Sequence, residues 1–110
     1  MAHYMLRWQF TAVSAKAMIS KPQDRSIPAR ALIEGFGGKV HAYYFAFGEY
    51  DGVGICEFPD NVSAAACSMT AASTGAFSKF ETTPLLLATE AEQAMRTAQK
   101  TSTSYTPPNG

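Results

Sequence analysis

Residues 39–59, KVHAYYFAFGEYDGVGICEFP, decide how this chain is read. The run from Lys39 to Phe47 is rich in β-formers and carries aromatic or apolar groups on both parities. His41, Tyr43, Phe45 and Phe47 fall on one, and Val40, Ala42, Tyr44 and Ala46 on the other. A strand that is apolar on both faces is covered on both sides. Gly48-Glu49-Tyr50-Asp51-Gly52 supplies a tight turn, because Asp and Gly tolerate the positive φ values that hairpin turns demand. Val53 to Phe58 returns as a second strand, in which Gly54 permits close backbone approach. The stretch is a predicted β-hairpin. Helices can cover one of its sides, and a second subunit covers the other most economically.

Upstream, His3 to Thr11 alternates apolar Tyr4, Leu6, Trp8 and Phe10 with polar His3, Arg7 and Gln9, the period of a half-buried strand. Thr11 to Lys21 is less regular; Ser14 is the expected cap of a short helical turn through Ala17 and Met18, which Pro22 interrupts. A firmer helix starts near Asp24 or Ser26, accommodates Pro28 in its first turn and aligns Ala29, Leu32, Ile33 and Phe36 on one stripe. Gly37-Gly38 ends it.

Downstream, Pro59-Asp60-Asn61 stops the second hairpin strand and caps a helix whose expected apolar stripe is Val62, Ala65, Ala66 and Met69. Gly75 closes that helix. Residues 76–88 read as a final strand, with Pro84 at an edge or bulge. Thr89 and Glu92 fit a capping box for a last helix with a narrow stripe of Ala91, Ala94, Met95 and Ala98. The predicted division is a domain over 1–88, a C-terminal helix over 89–100 and a disordered tail over 101–110. The order βαββαβ predicts an α+β, ferredoxin-like fold: an antiparallel four-stranded sheet with two helices on one face. With Tyr and Phe on both parities of the second strand, the bare face is expected to pair.

Bulk properties agree with one domain. The chain has 110 residues, 46 % of them hydrophobic, enough for a globular core. Only 16 % are charged, against roughly 25 % in ordinary soluble domains. Such sparse charge implies surface hidden against a partner, most simply a second copy. The net charge of zero gives no field that draws nucleic acid or an anionic membrane. No stretch is long and apolar enough for a bilayer span, and MAHYMLRWQF lacks a secretory pattern, so cytoplasmic residence is expected. Cys56 and Cys67 read as free buried thiols, although a disulfide is possible in principle. Neither has an adjacent His or a helix-start position that would activate a thiolate. Two His residues, neither near a Cys at ligand spacing, suggest no zinc-type metal site, and no cofactor is expected.

Candidate chemistry is sparse. His41, within the aromatic strand, could act as general acid or base near neutral pH; the plainer alternative is a strand histidine bonded to a neighbour. Asp51 could be a catalytic carboxylate, but a turn Asp that accepts backbone amides fits better, with Tyr50 anchoring the turn. Tyr4, Trp8, Tyr43, Tyr44 and Phe80 could line a pocket for a flat aromatic ligand, or form core. Arg7 could hold a ligand carboxylate or, more in keeping with strand geometry, pair with Glu57 or Glu81. His3 is expected to be exposed, and the glycine-rich turn has no phosphate-loop spacing.

Gly48-Glu49-Tyr50-Asp51 between an aromatic strand and VGICEFPD resembles the GYD-domain family. Arg7-Trp8, Gly37-Gly38-Lys39, Glu57-Phe58-Pro59-Asp60, and Gly75 followed by Glu81-Thr82 support the resemblance, which runs from about Tyr4 to Leu87. One departure is Arg7-Trp8-Gln9-Phe10-Thr11, where the family pattern has a more direct Trp-Thr, so roles at Gln9 and Phe10 transfer less well. The resemblance implies a dimeric α/β-barrel, with two ferredoxin-like subunits bringing their sheets together. Its wider superfamily includes cofactor-free monooxygenases, lactone isomerases, dehalogenating and haem-degrading enzymes, and non-catalytic members. Two functions follow as expectations. One is a cofactor-independent, oxygenase- or isomerase-like enzyme for a small hydrophobic or aromatic substrate, using His41 in a pocket between sheet and helices. The other is a non-catalytic dimeric module for small-molecule binding or assembly. A cavity of roughly 300 Å³ or more holding His41 and a convergent Tyr favours the first, and a filled core the second.

Overall fold

In the computed structural model, which describes residues 1–101 and 103–109, the chain runs β1 (Ala2–Phe10), α1 (Ala12–Ser20), α2 (Ser26–Gly35), β2 (Lys39–Phe45), β3 (Gly52–Phe58), α3 (Asn61–Ser73), β4 (Phe77–Leu85) and α4 (Ala88–Lys100). The strands form one antiparallel sheet in the order β2-β3-β1-β4, the α+β ferredoxin-like arrangement expected from the pattern. Pro84 falls in the edge strand β4, where a missing amide donor is tolerated. The predicted tail includes residues 102 and 110, which lie outside the described residues; the described remainder of it forms neither helix nor strand. Among the described residues, no helix is long and apolar enough to cross a membrane.

Local chemistry places each helix. Thr11, not Ser14, caps α1: its hydroxyl accepts from the Ser14 amide at 3.2 Å, and the helix is nine residues long rather than a single turn. Ahead of α2, Asp24 accepts from the Ser26 amide at 2.9 Å and its hydroxyl at 2.6 Å. Gly37, at φ 78°, ends the α2 region with the left-handed conformation that favours glycine. Gly38 is there for space, since a Cβ would lie 2.8 Å from the Glu57 carbonyl oxygen. Asp60 caps α3 by accepting from the Ser63 amide at 2.8 Å.

The expected α3 stripe is corrected. Ala64, Cys67 and Ala71 face inward, whereas Val62 and Met69 are 79 % and 71 % exposed. The smallest side chains face the sheet, and α3 lies close enough for Ser68 to hydrogen-bond Thr82 of β4. The cap of α4 also differs. The helix begins at Ala88, and the Glu90 carboxylate accepts from the Leu87 amide at 2.8 Å, so Thr89 lies inside the first turn.

A third correction concerns the hairpin. Val40 pairs with Cys56 and Ala42 with Ile55, leaving His41 as an extra residue at a register shift. Such a bulge turns the side chains beyond it onto the opposite faces. Tyr43 and Phe45 therefore sit opposite Gly54 and Gly52 on the helix-covered face, and Tyr44 opposite Val53 on the open one. His41 does not share their face. The predicted alternation through His41, Tyr43 and Phe45 is broken there.

Tyr4, Leu6, Trp8, Cys56 and Phe58 from the sheet pack with Ile33 of α2 and Ala64 and Cys67 of α3 to form the core. Both cysteines are free and buried. Trp8 lies flat over β3, with Tyr43 at 5.3 Å and Phe80 at 6.3 Å between ring centroids. Gly52 makes this possible: a Cβ there would lie 2.3 Å from the indole ring. An open cleft of about 340 Å³ runs along α3, lined by residues that include Tyr4, Ala64, Ser68, Thr82 and Pro84, and the more enclosed gap between sheet and helices is about 60 Å³, lined by residues that include Leu6, Trp8, Leu32, Ile33, Tyr43 and Cys67. That volume suits a couple of waters at most. It is far below the roughly 300 Å³ lower bound for drug-sized ligands.

Candidate functional site on the open sheet face

The cross-strand register orders the side chains of the open face into three rows. Ala42, Ile55, Met5 and Thr83 run across the centre of the sheet, strand by strand. On one side lie Tyr44, Val53, Arg7 and Glu81, and on the other Lys39, Glu57, His3 and Leu85. An apolar band is thus flanked by two polar clusters.

The first cluster joins the turn to the edge strand. Arg7 donates to Glu81 at 3.0 Å, and the Tyr50 hydroxyl donates to the same oxygen at 2.8 Å. Lys79 approaches the other oxygen of Glu81 at 3.3 Å. The Arg7 guanidinium lies 4.5 Å and the Lys79 ammonium 5.1 Å from the centroid of the Tyr50 ring, within the range of cation–π attraction. The bond from Tyr50, reinforced by Lys79 and Arg7, holds the Glu81 carboxyl below its ordinary range. Glu81 in turn raises the Lys79 ammonium. Every charge in this group has a partner of opposite sign.

The second cluster lies toward the other end of the same face. Glu57, from β3, receives the Nε2 atoms of two histidines: His41 at 2.8 Å on one carboxylate oxygen and His3 at 3.5 Å on the other. The two imidazoles stack at 5.7 Å with their planes 17° apart. The hydrogen bond with His41 is the main influence holding the Glu57 carboxyl below its ordinary range. The three ligand-type atoms lie within 4.8 Å of one another, making this, among the described residues, a set that could hold a metal ion.

The residues singled out from sequence are divided by the sheet. Arg7 and Tyr50 meet in the first cluster, His41 lies in the second, and Tyr44 is 65 % exposed on the open face. Trp8 and Tyr43 pack against each other on the helix-covered face, beside the small cavity that His41 does not line. Asp51 stands apart from His41. Its carboxylate accepts from the Phe10 amide at 2.8 Å, its own amide donates to Trp8, and its carbonyl accepts from Ala46, which stitches the turn to β1. Glu57, Glu81 and Lys79 carry the chemistry that links these residues, and His3 is only 26 % exposed. The alternation of β1 contained one signal for them, because His3, Arg7 and Gln9 share a parity.

The family model described as GYD domain matches residues 4–95 of the chain, from β1 into α4. No curated protein and no solved structure matches it.

Proposed function

This chain belongs to the GYD-domain family, and from that premise we propose that it works as a self-pairing module that holds a small ligand between the open faces of two sheets. The observation that carries this reading is the central row of the open face. Ala42, Ile55 and Met5, each half-buried, form an apolar band on the face opposite the core helices, and exposed Tyr44 stands beside it. Burying such a band yields about 25 cal/mol per Å² of apolar surface. At one border Arg7 and Lys79 neutralise Glu81, and at the other Glu57 is hydrogen-bonded by His41, which lowers the cost of covering these groups. Neither the 60 Å³ gap beneath the helices nor the open cleft along α3 is lined by His41, which favours a binding or assembly role over a reaction of His41 in that space.

A second reading rests on the 2.8 Å contact between His41 and Glu57. An imidazole oriented by a carboxylate is suited to proton transfer, and here it would act on a small hydrophobic substrate taken from the open-face side. The pairing itself is tested by Ile55→Asp, which places a charge in the apolar row. Elution at half the native mass, with an unchanged circular dichroism spectrum, is the expected result. A folded variant that elutes with the native chain contradicts the proposal.

A further inference from the structure

We propose that His3, His41 and Glu57 form a binding site for one divalent transition-metal cation of the zinc class. Three adjacent strands each contribute one ligand: β1 gives His3, β2 gives His41 and β3 gives Glu57. The hydrogen-bonded ladders on either side of β3 hold the three backbones at fixed spacing. All the ligands come from one chain, so the site does not depend on sheet pairing.

The convergence is specific. Both histidines present the same atom, Nε2, and each meets a different oxygen of one carboxylate. The rings stack, so both nitrogens approach from one side. A cation about 2.0–2.2 Å from each ligand would set the three atoms about 3.0–3.6 Å apart; they now lie within 4.8 Å of one another, and His41 is 2.8 Å from Glu57, so small side-chain rotations reach that arrangement. The bulge at His41 contributes directly, because the extra residue reaches Glu57 while Val40 on one side and Tyr43 on the other stay on the core face.

The donor set selects the ion. Two neutral imidazoles and one carboxylate, without sulfur, suit Zn²⁺ and its neighbours better than Mg²⁺ or Ca²⁺, which favour all-oxygen sets. Three protein ligands leave at least one coordination position free for water or a ligand. The remaining nitrogen of each ring, Nδ1, is then the one that carries the proton.

The test uses the full chain, free of any affinity tag, and Zn²⁺ alone. Calorimetry and metal analysis should give one ion per chain, and binding should raise the thermal midpoint. His41→Ala and Glu57→Gln should each weaken binding by roughly tenfold or more, since each removes one of three ligands. Glu92→Gln, on α4, should leave it unchanged. His3 and His41 are the only histidines of the chain, so NMR of the unaltered protein reads the site without any substitution. Zinc should move the ring resonances of both. Unmoved rings, absent saturation, or binding that survives loss of His41 and Glu57 would overturn the proposal.

Discussion

The Tyr50 hydroxyl donates to the Glu81 carboxylate at 2.8 Å, joining the turn after β2 to the edge strand β4 on the far side of β1. The Gly48-Glu49-Tyr50-Asp51 turn is a fastening. Tyr50 fixes Glu81 and lies under Arg7, Asp51 ties the turn to β1, and the following Gly52 makes room for Trp8. Each role is steric or electrostatic and none requires a substrate.

Glu81 links the fastening to pH. Its folded-state pKa lies below the ordinary value of 4.5, so it stabilises the fold above that pH and ceases to do so as the pH falls through the folded value. Glu81→Gln should therefore be less stable than the native chain at pH 7, with the gap narrowing below about pH 4. Urea midpoints at the two pH values check this. An equal gap at both would show that the carboxylate is not held in its charged form.

Asp51 should behave as a structural acceptor. Asp51→Ala leaves the Phe10 amide without its partner and should cost about 1–2 kcal/mol. Asp51→Asn keeps an acceptor oxygen and should cost clearly less. Denaturant unfolding of both variants separates the two cases, and equal losses would argue that charge rather than the hydrogen bond matters.

Two glycines, Gly48 in the turn and Gly52 at the start of β3, should respond differently. Gly52→Ala drives a methyl into the Trp8 ring and should cost about 1–3 kcal/mol or prevent folding. Gly48→Ala meets nothing within 4 Å and should leave the unfolding midpoint nearly unchanged. Tryptophan fluorescence follows both, because Trp8 is the only tryptophan.

The cysteines should be inert in the folded chain. Burial pushes the Cys56 thiol up to about 12 and the Cys67 thiol up to about 11. A thiol-reactive dye should label neither at pH 8 in buffer and both in denaturant. Rapid labelling of the folded protein would mean that the α3–sheet contact opens.

The fold was legible wherever a local rule decided it. Alternation marked β1, the stripe containing Ile33 marked α2, and Asp60 marked the start of α3. Among the features that escaped, three have a clear physical cause. The bulge at His41 depends on which pairing packs Val40 and Tyr43 against the core together, and no local pattern announces a one-residue slip. The face of α3 was misread because Val62 and Met69 look more hydrophobic than Ala64 and Ala71, while close approach to the sheet selects the smaller residues. Of the polar clusters only the pairing of Arg7 with Glu81 was anticipated; His3 with Glu57 and Tyr50 with Glu81 are far apart in the chain, and only strand order brings them together.

Sedimentation equilibrium of the unmodified chain at micromolar concentration tests the central claim most directly. If a second copy covers the row of Ala42, Ile55 and Met5, the mass should be twice the 11.8 kDa of one chain. A single species at the mass of one chain, stable across that concentration range, would contradict it.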